Sequence, residues 1–338
     1  MKPGMTLTAA IDPTLTVPPV IWLVFSGAVL VFLALDLGVF HRKPRAVAFG
    51  EALMWTTIWF SMAMTFAFWL APIMIGEQWQ ASHTKLFITG YVVELSLSMD
   101  NVFVIALIFT YFHVPLKYQH RVLFWGILGA LVMRGVMILS GAELIDRFHW
   151  IMYVFGAFLL ITGIKLLFAG DEEVEPEKNI VIRLARKIYP ITTEYDGQHF
   201  FTLLNGRRAL TPLALCLIMV ETTALIFAVD SIPAIFGITT EAFIVFTSNV
   251  FAILGLRSLY FVLVGLLRHF RYLKHGMALV LVFIGFKMLV VLWEGHPAWL
   301  NFEGNHDAVL GIIGAILGLS IVASVLAPEG TGKDAGKE

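Results

Sequence analysis

Two stretches decide how this chain folds: Glu94-Leu-Ser-Leu-Ser-Met-Asp100-Asn101-Val-Phe-Val, and Val220-Glu221-Thr-Thr-Ala224-Leu-Ile-Phe-Ala-Val-Asp230-Ser231-Ile-Pro233-Ala-Ile-Phe. Each sets two carboxylates inside an apolar run, and a run of about 20 such residues is what a helix needs to cross a bilayer. Ionisable groups at that depth are expensive, so they are candidates for function before anything else.

The composition around these stretches agrees. Of 338 residues, 59% are hydrophobic and 14% charged, with a mean hydropathy of +0.84, where a soluble domain carries about 25% charged residues. That excludes a disordered chain and argues against an ordinary soluble enzyme. The net charge is −1 and the basic residues form no stripe with interleaved aromatics, so no nucleic-acid partner is expected. A single cysteine, Cys216, allows neither an internal disulfide nor a CxxC site. No HExxH, GxSxG or glycine-rich phosphate motif stands in a suitable context, so neither an enzyme nor a resident cofactor is expected.

Nine apolar blocks are long enough to span: Val17 to Phe40, Ala52 to Ile75, Leu86 to Phe112, Val122 to Ala142, Trp150 to Ala169, Leu210 to Phe236, Ala242 to Leu267, Gly276 to Trp293 and Ala308 to Leu326. The fold class is therefore an all-α membrane protein of about nine transmembrane helices, one polytopic domain over 1–338 embedded in the lipid bilayer. The odd-numbered loops hold 14 Lys and Arg, among them Arg42, Lys117, Arg183, Arg207 and Arg271, against Lys85 and Arg147 in the even-numbered ones. Basic residues gather on the cytoplasmic side, which predicts an outer N-terminus and an inner C-terminus. The one long connection, about 170–209, opens with the acidic run Asp171 to Glu175. It continues through the basic amphipathic stretch Ile180 to Ile188 and ends near Asn205-Gly206, a strong hairpin signal. It reads as a cytoplasmic loop against the membrane surface.

The two opening stretches also align. An offset of 130 superposes Asp100 on Asp230 and Glu94 on Ala224, an offset of 123 superposes Arg134 on Arg257, and an offset of 122 superposes Gly163-Ile-Lys165 on Gly285-Phe-Lys287. Repeat one covers about 86–169 and repeat two about 210–293. Each copy holds three spans, an odd number, so the copies should enter the membrane from opposite sides as an inverted repeat, with a substrate site near the midplane between them.

Pro233 cannot donate to the carbonyl of Val229, which leaves that oxygen bare beside Asp230 and Ser231. Along a straight helix Glu94 and Asp100 point about 120° apart, and Glu221 and Asp230 about 180°. Either the helices unwind near the aspartates, or one carboxylate of each pair binds an ion while the other neutralises Arg134 or Arg257. The deep polar groups are carboxylates, amides and hydroxyls, including Asn101, Ser98, Thr223, Asn249 and Ser248, whereas the histidines lie in loops or at span ends. Oxygen donors suit Mg²⁺, Ca²⁺ or Mn²⁺.

Together with Thr247-Ser248-Asn249-Val-Phe-Ala-Ile-Leu-Gly255-Leu-Arg257, Asp36-Leu-Gly-Val-Phe-His41 and His199-Phe-Phe, the two opening stretches resemble the signature runs of the TerC family. These are integral membrane proteins named for tellurite resistance and grouped with the lysine-exporter superfamily. The resemblance covers about Asp36 to Met288. It implies a multi-pass protein of the bacterial cell inner membrane, and Alx-type members are implicated in Mn²⁺ export. The leading expectation is a divalent metal-ion exporter, Mn²⁺ first, with proton coupling open. Its metal ligands would be Asp100 and Asp230 with Asn101, Ser231 and Asn249 as neutral oxygens, and Glu94 and Glu221 as further ligands or proton carriers. The alternatives are a membrane scaffold for metal-stress or tellurite-resistance partners, and an organic-cation or amino-acid exporter. One departure stands out: the family pattern carries an acid where this chain has Ala224, which implies a site with one charge fewer.

Overall fold

The computed structural model describes residues 15–35, 48–168, 179–204, 206–266, 272–291, 302 and 305–326. Asp36, His41, Arg42, Lys43, Arg45, the acidic run after Gly170, Asn205, Arg268 and Arg271 lie outside them. Eleven α-helices and one short hairpin make up the described chain: α1 Pro19–Leu35, α2 Phe49–Thr65, α3 Ala71–Ile75, α4 Ala81–Tyr111, α5 Leu116–Arg147, α6 Ile151–Phe168, α7 Ile180–Ile188, β1 Phe201–Leu204, β2 Arg207–Leu210, α8 Pro212–Phe236, α9 Ala242–Leu266, α10 Leu273–Val291 and α11 His306–Leu326.

Eight helical segments among the described residues are long and apolar enough to cross a membrane, the stretch from α2 through α3 (Phe49–Gln78) counting as one. Among the described residues the first apolar block forms the 17 residues of α1, about 26 Å at 1.5 Å per residue, and the rest of that block, Asp36 to Phe40, lies outside them. The helices α4 and α5 have 31 and 32 residues and outrun the hydrocarbon thickness of roughly 30 Å. Lys85, Lys117, Arg121 and Arg147, which the hydropathy profile assigns to loops, therefore ride on helix ends. Between α2 and α3 the backbone widens into a π turn, Phe66–Leu70. Pro72 just beyond it has no N–H to give, and a wider turn absorbs the missing hydrogen bond.

The helix starts follow local chemistry. Gln80 and His83 cap α4 reciprocally, and Thr211 caps α8 by accepting from the Ala214 amide, with Pro212 at the first helical position where no N–H is required. β1 and β2 pair antiparallel around Gly206, whose φ of +76° suits glycine.

Four helices, α4, α5, α8 and α9, form the centre. α4 packs on α9 and α8, and α5 packs on α8 and α9, while α6 lies against α10, α2 against α9, and α11 against α10 and α4. The α6–α10 crossing is tight because glycines meet backbone. A Cβ at Gly163 would stand 2.8 Å from the Val282 nitrogen and 2.9 Å from the Ala278 oxygen, and one at Gly285 would stand 2.7 Å from both the Leu160 nitrogen and the Gly156 oxygen. Shifted by 122 residues these are the same contacts with the helices exchanged. Outward faces are apolar, as at Val132, Val136 and Leu139 on α5 and Leu319 and Val322 on α11, where lipid replaces water as the surrounding medium.

Candidate functional site

The central four helices enclose charge. Glu94 on α4 is 1% exposed and Arg134 on α5 is 4% exposed, and Arg134 Nη1 donates to Glu94 Oε1. The same nitrogen donates to Asn249 Oδ1 on α9 at 3.1 Å. Ser98, one turn along α4 and so on the same face as Glu94, donates its hydroxyl to Glu94 Oε1 at 3.0 Å. Asn249 is fixed in turn by its Nδ2, which donates to the Val245 carbonyl at 2.8 Å. Three helices thus share one buried ion pair, and breaking such a pair by removing one partner costs about 3–5 kcal/mol.

Beside this pair is a cavity of ≈ 30 Å³ whose walls include Ser98, Asn101, Arg134, Thr223, Ala224 and Phe227, roomy enough for a water by the usual threshold of about 10–15 Å³. Ala224, which aligns with Glu94, forms part of the α8 wall. Among the described residues four buried side-chain oxygens make no hydrogen bond: Ser82 Oγ at the start of α4 and, further along the helices, Glu94 Oε2, Asn101 Oδ1 and Ser231 Oγ. Buried polar atoms are nearly always satisfied, so each marks a place where another group is wanted.

The remaining predicted residues are placed as follows. Asp100 and Asp230 are half-buried, on α4 and α8. Both helices run unbroken through them, and α8 continues through Pro233 to Phe236, so the unwinding considered from sequence does not occur. A proline removes one hydrogen bond, and its neighbours on the same helix suffice to hold the turn. Glu94 therefore follows the other alternative and neutralises Arg134. Asn249, expected as a neutral ligand, already gives its oxygen to that arginine. Glu221 seats its carboxylate against Gly129 of α5, where any side chain would collide with it. Arg257 is half-buried and lines a second cavity, of ≈ 20 Å³, with Phe32, Leu33, Trp59 and Leu254. Among the described residues no three His, Cys, Asp or Glu side chains converge, so the four acids are spread along the core rather than gathered at a point.

Sequence reasoning missed Gly129, since nothing local marks a glycine as the seat for a distant carboxylate. It also missed how the 179–210 segment is fastened to the core. Tyr195 donates its hydroxyl to the Phe112 carbonyl at the end of α4, 2.6 Å away, and burial, with a smaller contribution from Cys216, pushes that phenol up to about 12. Arg121 on α5 donates to Gln198 Oε1 at 3.2 Å and lies 5.3 Å over the Phe200 ring.

The sequence pattern of the integral membrane protein TerC family matches residues 79–331. The chain is 48% identical over 310 residues to an uncharacterized membrane protein of Myxococcus xanthus, covering 91% of this chain and 92% of that one. It is 46% identical over 308 residues to the Escherichia coli protein named "Putative membrane-bound redox modulator Alx", covering 90% and 94%, and 40% identical over 311 residues to the protein of that name from Photorhabdus laumondii, covering 91% and 95%. No solved structure matches. The chain belongs to the TerC family and is a multi-pass integral membrane protein.

Proposed function

We propose that this TerC family member is a divalent metal-ion transporter of the bacterial inner membrane, an exporter with Mn²⁺ as its first candidate substrate. The observation that carries the reading is the buried charged centre: Glu94, Arg134 and Asn249 tie α4, α5 and α9 together beside a cavity. Unpaired oxygens of Glu94, Asn101 and Ser231 lie on the two helices that carry Asp100 and Asp230. Carboxylate, amide and hydroxyl oxygens suit a hard cation. In this reading Arg134 holds Glu94 in place, while the half-buried Asp100 and Asp230 take the ion from either side.

The reciprocal glycine contacts of α6 and α10, and the exchange of partners among α4, α5, α8 and α9, support two three-helix repeats related by a pseudo-twofold axis. With α1 as a ninth span, the gathering of Lys and Arg in the odd-numbered loops supports an outer N-terminus. An all-helical architecture also favours the inner over the outer membrane, where barrels are the rule.

The name carried by the Alx relatives fits indirectly. Thiol–disulfide exchange within one chain needs two cysteines, and this chain has one, Cys216, fully buried. A redox effect would then follow from the ion moved, and the chain itself need not be an enzyme. The test is uptake of Mn²⁺ into inverted membrane vesicles. Wild type should accumulate the ion, and Asp100→Asn and Asp230→Asn should each abolish accumulation at normal expression. Undiminished uptake by both variants overturns the assignment. An organic-cation or amino-acid exporter would instead move its own substrate with Mn²⁺ ignored. A scaffold would show no flux and would lose its phenotype when the 172–205 loop is deleted.

A further inference from the structure

We propose that α7 and the β1–β2 hairpin form a binding platform for anionic phospholipid headgroups at the membrane surface. α7 has two faces that the fold leaves open. Ile182 is 1% exposed and turned to the protein, but Ile180, Leu184 and Ile188 are 73%, 56% and 62% exposed. At 100° per residue these three fall within an arc of about 80° that lies opposite Ile182, and Lys187, Arg183 and Arg186 follow along one edge of it, about 20°, 60° and 120° from Ile180. All three cations are exposed, and the sequence from Asn179 to Ile191 contains no acid. The hairpin extends both features: Phe201 and Leu203 are 55% and 73% exposed, Arg207 and Arg208 are exposed, and the Tyr189 and Phe201 rings meet at 6.2 Å.

Depth selects lipid over a soluble partner. Asn179, the N-cap of α7, donates its side-chain amide to the Met219 sulfur. Met219 is the eighth residue of α8, about 10 Å along that spanning helix at 1.5 Å per residue. α7 therefore lies against the side of α8 rather than beyond its end, at the level where interfacial helices bury an apolar face roughly 5–10 Å into the headgroup and acyl boundary. Basic side chains at that level meet phosphate. Because Tyr195 and Arg121 fasten the same segment to the ends of α4 and α5, headgroup binding would bear directly on the central helices. The platform is independent of which ion the core carries.

The test uses the full chain in lipid nanodiscs, with an environment-sensitive fluorophore on Leu184→Cys in a Cys216→Ala background and a quencher attached near the top of the acyl chains. The discs contain phosphatidylcholine alone or with phosphatidylglycerol. Quenching should be present and should rise with phosphatidylglycerol. Arg183→Gln/Arg186→Gln/Lys187→Gln should need at least threefold more of that lipid for the same quenching, each charge being worth on the order of fivefold near an anionic surface. The charge-keeping Arg183→Lys/Arg186→Lys should behave as the parent, which separates lost charge from lost folding. A fluorophore that reports water in both disc types, as for a face open to a soluble protein, overturns the proposal. So does quenching that ignores phosphatidylglycerol.

Discussion

Arg134 and Arg257 stand 123 residues apart, at positions that the sequence aligns, yet their surroundings differ. Arg134 is deeply buried and held by Glu94 and Asn249. Arg257 is half-buried and borders a cavity whose walls are largely aromatic and aliphatic. The position that would mirror Glu94 is Ala224, and the nearest acid before it, Glu221, is seated on Gly129 instead. The backbone keeps the correspondence, as the exchanged contacts of Gly163 and Gly285 show, while the acid at Glu94 is not repeated at Ala224. Packing by small residues depends on shape and survives drift in chemistry, whereas the contact that Glu94 makes with Arg134 needs a carboxylate, which Ala224 does not supply.

The largest effect should come from breaking the charged half. Arg134→Met leaves Glu94 buried without a counter-charge and should destabilise the protein by about 3–5 kcal/mol, read from thermal unfolding in detergent. Adding Glu94→Gln should recover most of that loss. Arg257→Met should cost less, because a half-buried guanidinium is less desolvated than that of Arg134, and equal losses at the two arginines would break the comparison. Next, Gly163→Leu and Gly285→Leu should each cost about 1–3 kcal/mol by overpacking the α6–α10 crossing, and the two values should match. A difference larger than either value would end the claim that the crossing is reciprocal.

Restoring the missing acid sharpens the contrast from the other side. Ala224→Glu adds a carboxylate to the wall of the cavity, and affinity for divalent cations rises with the number of ligand charges. Tighter Mn²⁺ binding by about tenfold, roughly 1.4 kcal/mol, is expected in equilibrium binding to the purified protein. No change would show that the two halves do not share one site. The smallest effect belongs to the periphery: Lys85 and Asp307 pair at 2.7 Å, but their side chains are 40% and 71% exposed. Lys85→Ala should therefore shift stability by under about 1 kcal/mol, and less at high salt.

Much of the fold was legible because each element carries its own signal. The apolar runs fix the central spans, Ile180 to Ile188 became α7 without adjustment, and Asn205-Gly206 marked the hairpin. Helix ends were less legible, since a helix can leave the bilayer and continue on charged residues, as α5 does at Lys117 and Arg147. Of the candidate site, the charged residues were visible because a bilayer makes them conspicuous. Their partners were not: that Arg134 takes Asn249 and that Glu221 rests on Gly129 depends on how four helices cross.

The sequence by itself determined that this protein lives in a membrane, that its deep acids lie within apolar helices, and that stretches of the chain more than a hundred residues apart can be aligned. Those facts rest on run length, on solvation cost and on residue order, none of which needs a third dimension. Only the tertiary structure decided that Glu94 serves an arginine, that α4 and α8 stay helical through their aspartates, and that Arg134 joins α5 to both α4 and α9. Helical period sets the direction of each side chain on its own helix. Which helix it faces is set by packing among segments more than a hundred residues apart, and no local pattern records it.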